Sequence, residues 1–261
     1  MRNRFARARR VTRYALVFAL GLALGAAALA AGSLVRTSTT GGTPVYSERP
    51  TGVGLPLVGA SGTVGAGDYA SPLKDYHDSG AYKRDLQKVD GAARTYLKQR
   101  VSQLRAKHRA PKPAIVLDID ETSLSNYKYL ANANFTNVVG ALALGVANAD
   151  DPPVAPTLRL YHLARFKNVA VFFITGRPDN IPFVRSQTAA NLQSAGYKHW
   201  TGLALKPSSD ATVAFKSGQR ANIESQGYHI IANVGDQESD LQGGHADRAF
   251  KLPNPYYFIG P

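Results

Sequence analysis

The chain has 261 residues, a formal net charge of +13 and no cysteine, which excludes disulfide bonds, thiolate metal sites and a lipidated amino-terminal cysteine. Six of the positive charges are arginines before residue 14, so cleavage after Ala30 would reduce the net charge from +13 to +7. That modest charge comes without interleaved aromatic and basic residues, so we expect no nucleic-acid partner. The length suits a single well-buried core.

The amino-terminal segment has the layout of an export signal. Arginines precede an apolar stretch at 14–35, and Ala28 and Ala30 provide a small-x-small cleavage site. The stretch is also close to the ~20 residues that span a bilayer, so an uncleaved anchor is the alternative. Both place the body of the protein outside the cytoplasm, and the only membrane contact expected is through this segment. We therefore predict a signal peptide or membrane anchor at 1–35.

Residues 36–74 are rich in Gly, Thr, Ser and Pro and lack an apolar period, which predicts a flexible spacer. The remaining residues, 75–261, are predicted to form one domain. Apolar residues recur at three or four positions over 81–109, which indicates an amphipathic helix.

The central motif follows a predicted strand. The apolar run 114–117 indicates a buried parallel strand, and Asp118, Asp120 and Thr122 follow it. Because strand side chains alternate, both carboxylates can leave the carboxyl end on one side, where ligands bind in open α/β sheets. At about 4 Å and an effective dielectric near 20, their repulsion costs about 4 kcal/mol.

Such a pair either keeps one proton or binds a cation, so it suits a general acid or a nucleophile beside Mg²⁺. The alternative for this motif is an acidic turn in which Asp118 or Asp120 caps the next helix.

A second strand is predicted at 169–174, after a short helix at 157–167. It ends in Thr175, Gly176 and Arg177, and a hydroxyl at this point can donate to a phosphate oxygen. A strand-to-helix turn capped by Thr175 is the alternative. No clear period is visible over 130–151.

Helices are predicted at 181–195 and 210–226, with a short strand at 203–205 between them. Lys216 in the second helix could orient a nucleophile and balance phosphoryl charge. Lys206 competes for that role, and a solvated surface lysine is the other alternative.

A last strand is predicted at 229–234, and carboxylates again follow it. Asp236 is placed to bind a hard cation through oxygen, as Mg²⁺ requires. Asp240 is four residues further on and is expected to act as an outer ligand.

Four strings in this order resemble one family: DIDETSLSN (118–126), FFITGR (172–177), FKSGQR (215–220) and GYHIIANVGDQESDL (227–241). They resemble the haloacid dehalogenase superfamily of phosphatases, and within it the acid phosphatase branch, subfamily IIIB. That branch includes secreted bacterial acid phosphatases and plant vegetative storage proteins. The resemblance covers roughly residues 75–255.

The resemblance implies an α/β fold with a Rossmann-like parallel sheet, helices on both faces and a small cap around 127–156. It implies a Mg²⁺-dependent acid phosphatase that hydrolyses small phosphomonoesters. Asp118 would form an aspartyl-phosphate, Asp120 would act as general acid and base, and Thr175 and Lys216 would hold the phosphoryl oxygens.

The implied metal ligands are Asp118, Asp236, the backbone carbonyl of Asp120 and, through water, Asp240. We also expect the substrate to contact Thr122, Gly176, Arg177 and Tyr127. For Tyr127, packing within the cap is the alternative.

Two other classes of function compete. One is a non-catalytic storage or binding protein on the same fold, which loss of the nucleophile would indicate. The other is a basic nucleic-acid-binding module, which predicts salt-sensitive binding to DNA that survives Asp118→Asn.

Overall fold

The computed structural model describes residues 45–47, 69–106, 111–207 and 210–259. The predicted signal or anchor at 1–35 lies outside these residues. Among the described helices, none combines the length and the apolar character needed to cross a bilayer.

The centre of the fold is a six-stranded sheet in which every neighbouring pair is parallel. Its spatial order is β1-β6-β5-β2-β3-β4. All four strands predicted from apolar runs are present. The strands are β1 (Val45–Ser47), β2 (Lys112–Leu117), β3 (Ala170–Pro178), β4 (Gly202–Lys206), β5 (Tyr228–Gly235) and β6 (Ala249–Lys251).

Helices connect the strands, and the four that the sequence predicted occur within a few residues of the predicted ends. The described helices are α1 (Ala70–Asp78), α2 (Ala81–Arg105), α3 (Tyr127–Asn132), α4 (Val138–Asn148), α5 (Ala155–Phe166), α6 (Val184–Ser194), α7 (Thr212–Ser225) and α8 (Glu238–Leu241).

Both faces of the sheet are covered, because side chains alternate along each buried strand. In β2, Ile115 and Leu117 belong to the large core formed with α2 and α5. Val116 lies on the opposite face and joins the core that contains Phe215 of α7. The predicted fold class, a parallel α/β sheet with helices on both faces, is therefore confirmed.

Residues between β2 and α5 form a small helical insertion made of α3 and α4. Its two ends are tied together, since Ser125 N donates to Pro152 O at 2.9 Å and Val154 N donates to Ser123 O at 2.9 Å. The insertion lies within the range 127–156 that we predicted as a cap. The sequence showed no period here because α4 is apolar on almost every side, so no polar face marks the helical repeat.

The structure differs from the predicted spacer at 36–74 in two places. Residues of β1 pair in parallel with β6, and α1 begins at Ala70. Three residues are too few to show a strand period, and α1 lacks a side-chain N-cap that would mark its start.

The strand order places a topological switch beside β2. The chain runs from β2 outward to β3 and β4, and then returns to β5 on the other side of β2. The loops that follow β2 and β5 therefore separate at the carboxyl end of the sheet, which is the usual ligand crevice of open α/β sheets.

Candidate active site

The predicted motifs meet at this crevice. The backbone N–H of Asp118 donates to Val234 O at 3.0 Å, so β2 and β5 remain paired up to the point where their acidic loops begin. Thr175 lies on the neighbouring strand β3 and is fully buried. Side chains that are 57 to 118 residues apart in the chain are thus brought to one edge of the sheet by parallel pairing.

Three buried carboxylates form the centre of the site. Asp118, Asp236 and Asp240 each offer an oxygen, and these oxygens lie within 4.8 Å of one another. Oxygen donors at this density suit a hard divalent cation, because three buried negative charges repel strongly without one. Sequence reasoning expected Asp240 only as an outer ligand, whereas the structure places its carboxylate within the cluster.

Lys216 of α7 places a positive charge directly against two of these carboxylates. Its Nζ lies 2.6 Å from Asp118 Oδ1 and also donates to Asp240 Oδ1. The side chain is only 5% exposed. Lys206, the alternative from sequence, instead donates to the backbone carbonyl of Asp210 at 2.9 Å. Lys216 is therefore the lysine of the acidic cluster.

Burial sets the protonation chemistry of the cluster. Burial raises the pKa of the Asp118 carboxyl well above its ordinary value, and the charge of Asp240 raises it further. Burial also raises the pKa of Asp236, to about 6. For Lys216, burial acts to lower the pKa, but the charges of Asp118 and Asp240 outweigh it and the pKa is raised. The lysine is therefore charged, and the raised pKa values of Asp118 and Asp236 show that the buried cluster disfavours ionisation of all its carboxyl groups at once.

Several donors orient the individual carboxylates. Thr122 Oγ1 donates to Asp236 Oδ1 at 2.9 Å, and Gln237 Nε2 donates to Asp236 Oδ2 at 2.6 Å. Asp240 accepts a bond of 2.8 Å from the backbone N–H of Gln237 and forms a capping box at the start of α8. Thr122, which we predicted as a substrate contact, is fully buried against Asp236.

Asp120 leaves the same loop but has a different partner. Arg177 donates to its two carboxylate oxygens, from Nη2 at 2.7 Å and from Nε at 3.0 Å, so the pair is bidentate. Arg177 is buried, and its Nη1 donates to Thr188 Oγ1 at 3.1 Å. A carboxylate held in this way has a fixed orientation. The side chain of Arg177, which we predicted as a substrate contact, thus binds Asp120.

The helical insertion between β2 and α5 contributes a further buried acid beside this pair. Asp151 Oδ2 lies 3.9 Å from Arg177 Nη2 and accepts a bond of 2.9 Å from Asn126 Nδ2. Burial raises the pKa of Asp151 to about 7. A side chain at Gly145 would come within 2.3 Å of Asp151 Oδ2, so only glycine leaves room for this arrangement. Sequence reasoning did not identify Asp151, because it lies in a proline-rich turn without a motif.

The remaining predicted residues occupy distinct places. Thr175 Oγ1 accepts a bond of 3.1 Å from the backbone N–H of Arg177, which leaves its own hydrogen available to a ligand. A Cβ built at Gly176 would meet no atom within 4 Å, so the space beside it is open. Tyr127 stacks on His77 with ring centroids 3.4 Å apart, and its hydroxyl donates to Asp78 at 3.2 Å. Tyr127 thus connects the helical insertion to α1.

A comparison with known protein families identifies the family of the chain. A model of the HAD superfamily, subfamily IIIB (acid phosphatase), matches residues 63–260. The chain belongs to this acid phosphatase subfamily.

Similar proteins agree with that assignment. The chain is 34% identical over 195 residues to a stem 28 kDa glycoprotein of Glycine max, covering 71% of this chain and 73% of the relative. It is 33% identical over 197 residues to acid phosphatase 1 of Solanum lycopersicum, covering 73% and 74% of the two chains. The solved class C acid phosphatase of Bacillus anthracis superposes with a TM-score of 0.61 at 21% identity, covering 75% of this chain and 87% of that one.

Membership of the acid phosphatase subfamily confirms the resemblance drawn from the four motifs. It also confirms the predicted enzyme class, a phosphoric monoester hydrolase. HAD phosphatases typically use a divalent metal, and the buried aspartate cluster is consistent with one.

Proposed function

We propose that this acid phosphatase hydrolyses small phosphomonoesters with Mg²⁺ through an aspartyl-phosphate. The observation that supports the proposal is the cluster of Asp118, Asp236 and Asp240 with Lys216 at the switch point of the sheet. A nucleophilic carboxylate, a buried cation and a set of hard oxygen donors are the groups that phosphoryl transfer to an aspartate requires.

The donor set fits Mg²⁺ because it is made of oxygen atoms and carries more negative charge than Lys216 neutralises. Asp118, Asp236 and Asp240 would hold the ion, together with the backbone carbonyl of Asp120. When bound, the ion supplies positive charge that offsets the carboxylates and the phosphoryl oxygens.

Asp118 is the proposed nucleophile. One of its oxygens forms a bond to phosphorus while the bond from phosphorus to the leaving alcohol oxygen breaks, which gives the aspartyl-phosphate. Lys216 contacts Asp118 Oδ1, so the ammonium both orients the carboxylate and stabilises negative charge at the phosphoryl group. Thr175 donates its free hydroxyl hydrogen to a phosphoryl oxygen.

Asp120 is the proposed general acid and base. For the first half of the reaction Asp120 must hold a proton, which it gives to the leaving oxygen, and in the second half the ionised Asp120 regains a proton from the attacking water. That water breaks the acyl-phosphate bond and releases inorganic phosphate and free Asp118. The bidentate contact with Arg177 fixes the direction in which Asp120 presents its carboxyl group.

Replacement of the nucleophile tests this mechanism. Asp118→Asn should remove nearly all hydrolysis of p-nitrophenyl phosphate, because the amide cannot form the acyl-phosphate. EDTA should abolish turnover by the unaltered enzyme, and added Mg²⁺ should restore it. Retained activity in Asp118→Asn would contradict the mechanism. An unaltered enzyme that binds phosphate esters without turnover would instead support the storage or binding alternative.

A further inference from the structure

The segment after β6 returns to the metal cluster. We call residues 252–259 the C-terminal strap. The backbone N–H of Leu252 donates to Gly235 O at 2.9 Å, and the N–H of Ile259 donates to Gln237 Oε1 at 3.0 Å. Both ends of the strap are therefore held by the two residues that flank Asp236 in the chain.

Within the strap, one side chain contacts a proposed metal ligand directly. Asn254 Nδ2 donates to Asp236 Oδ2 at 2.7 Å, while Asn254 Oδ1 accepts a bond of 2.9 Å from the N–H of Tyr256. Lys251, just before the strap, donates through Nζ to the backbone carbonyl of Asp236. The carboxylate and the carbonyl of Asp236 are thus both contacted from the C-terminal side.

The other side of the strap packs on the helical elements. The ring of Tyr256 lies 5.1 Å from that of Tyr82 on α2 and is stacked on Phe135 of the cap at 5.4 Å between centroids. Tyr256 is 1% exposed. This packing fixes the strap in place, and the bond between Tyr256 N and Asn254 Oδ1 transmits that position to the amide of Asn254.

A carboxylate that is already oriented binds a metal more tightly, because hydrogen bonds from outer residues remove alternative orientations before the ion arrives. Asp236 lies beside two further carboxylates that repel it, so its orientation depends on such donors.

We propose that the C-terminal strap completes the metal centre and that Asn254 is a positioning residue for Asp236. This inference rests on the proposed metal-dependent function, in which Asp236 is a ligand.

The first test measures metal affinity without turnover. Titration of metal-free Asn254→Ala with Mg²⁺ in a calorimeter should show a Kd about 10–100-fold higher than that of the unaltered enzyme. The Mg²⁺ concentration that gives half-maximal turnover should rise by a similar factor, because Asn254 acts through a proposed metal ligand. A purely structural role would lower the melting temperature and leave the Kd unchanged.

A second variant should change the stabilisation of the protein by Mg²⁺ in the opposite direction. Asn254→Asp keeps an acceptor for Tyr256 N, but it places a negative group where Asp236 Oδ2 now accepts a bond. Repulsion should destabilise the metal-free protein, and Mg²⁺ should relieve it. Adding Mg²⁺ should therefore raise the melting temperature of Asn254→Asp by more than it raises that of the unaltered enzyme. For Asn254→Ala the rise should be smaller than for the unaltered enzyme.

Asn148→Ala provides a matched control, because Asn148 Nδ2 donates to Tyr129 Oη at 2.7 Å on the exposed surface of the cap. It should leave the Mg²⁺ affinity unchanged. If the unaltered enzyme binds Mg²⁺ and both variants at Asn254 respond as it does, the role of the strap is refuted while the proposed function stands. If the unaltered enzyme neither binds Mg²⁺ nor needs it for turnover, the proposed metal dependence fails first, and the strap inference fails with it.

Discussion

At the scale of single residues, two cations separate the roles of two neighbouring carboxylates. Asp118 is paired with Lys216, and Asp120 is paired with Arg177. The motif places the two carboxylates two residues apart, yet they have different partners. This division suits the proposed roles, because the charge of Lys216 favours the ionised form of Asp118 that a nucleophile needs, and Arg177 orients Asp120 toward a leaving group.

The first prediction concerns the buried lysine. Lys216→Ala should lower the kcat for p-nitrophenyl phosphate by about 10²–10³, because a preorganised positive charge beside the nucleophile is lost. Lys206→Ala is the matched control, since the Lys206 ammonium donates to the carbonyl of Asp210 and not to the acidic cluster. It should change kcat by much less. Equal losses in the two variants would show that Lys216 has no special place in the reaction.

The second prediction concerns the aim of the general acid. Arg177→Lys keeps the positive charge but loses the bidentate contact with Asp120. Proton donation matters most for a poor leaving group, so an alkyl phosphate should lose about 10²-fold in kcat, whereas p-nitrophenyl phosphate should lose far less. The measurement is kcat for both substrates in the two enzymes. Losses of the same size for both would indicate general damage to the site instead of misplacement of Asp120.

At the scale of elements, the packing of α2 on α5 contains a buried acid that the proposed reaction does not use. Asp90 is 1% exposed and accepts a bond of 3.1 Å from Thr157 Oγ1. Burial raises the pKa of Asp90 to about 7. Between about pH 4 and pH 7 the folded state therefore keeps a proton on Asp90 that the unfolded state releases. The free energy of unfolding consequently falls as the pH rises through this range.

The third prediction follows from this decrease in stability with rising pH. Asp90→Asn cannot ionise, so its melting temperature relative to the unaltered protein should rise by several degrees from about pH 4 to about pH 7. Thermal melts followed by circular dichroism at both pH values measure the difference. A difference that does not change with pH would mean that the carboxyl of Asp90 titrates normally in the folded protein.

At the scale of the whole molecule, we propose that the phosphatase acts outside the cytoplasm. The support is the amino-terminal sequence, in which arginines precede the apolar stretch at 14–35. The net charge of +7 that remains after cleavage at Ala30 would favour encounter with anionic phosphate esters.

Amino-terminal sequencing of the protein recovered outside expressing cells gives the fourth prediction. We expect the sequence to begin directly after Ala30. A membrane-bound product that still carries the apolar stretch would show that the segment is an anchor, and a product confined to the cytoplasm would contradict the proposal.

Several strands and candidate side chains could be predicted from the sequence alone. Apolar runs that stop at polar residues located β2, β3 and β5, because a buried parallel strand needs an uninterrupted apolar stretch. The same runs placed Asp118, Thr175 and Asp236 at the carboxyl end of the sheet, where ligands bind. The α/β class and the family thus follow from short motifs in the sequence, and the same motifs supplied the candidate site residues.

The contacts between these side chains became visible only in the folded chain. In the structure, Lys216 and not Lys206 contacts Asp118, Arg177 pairs with Asp120, and Asn254 donates to Asp236. No local pattern encodes these contacts, because they join residues that are far apart in the chain and depend on how helices and the C-terminal strap pack on the sheet. Short motifs were enough to name most of the candidate side chains. Their partners followed from folding, since a contact across a crevice depends on distances that spacing in the chain does not contain.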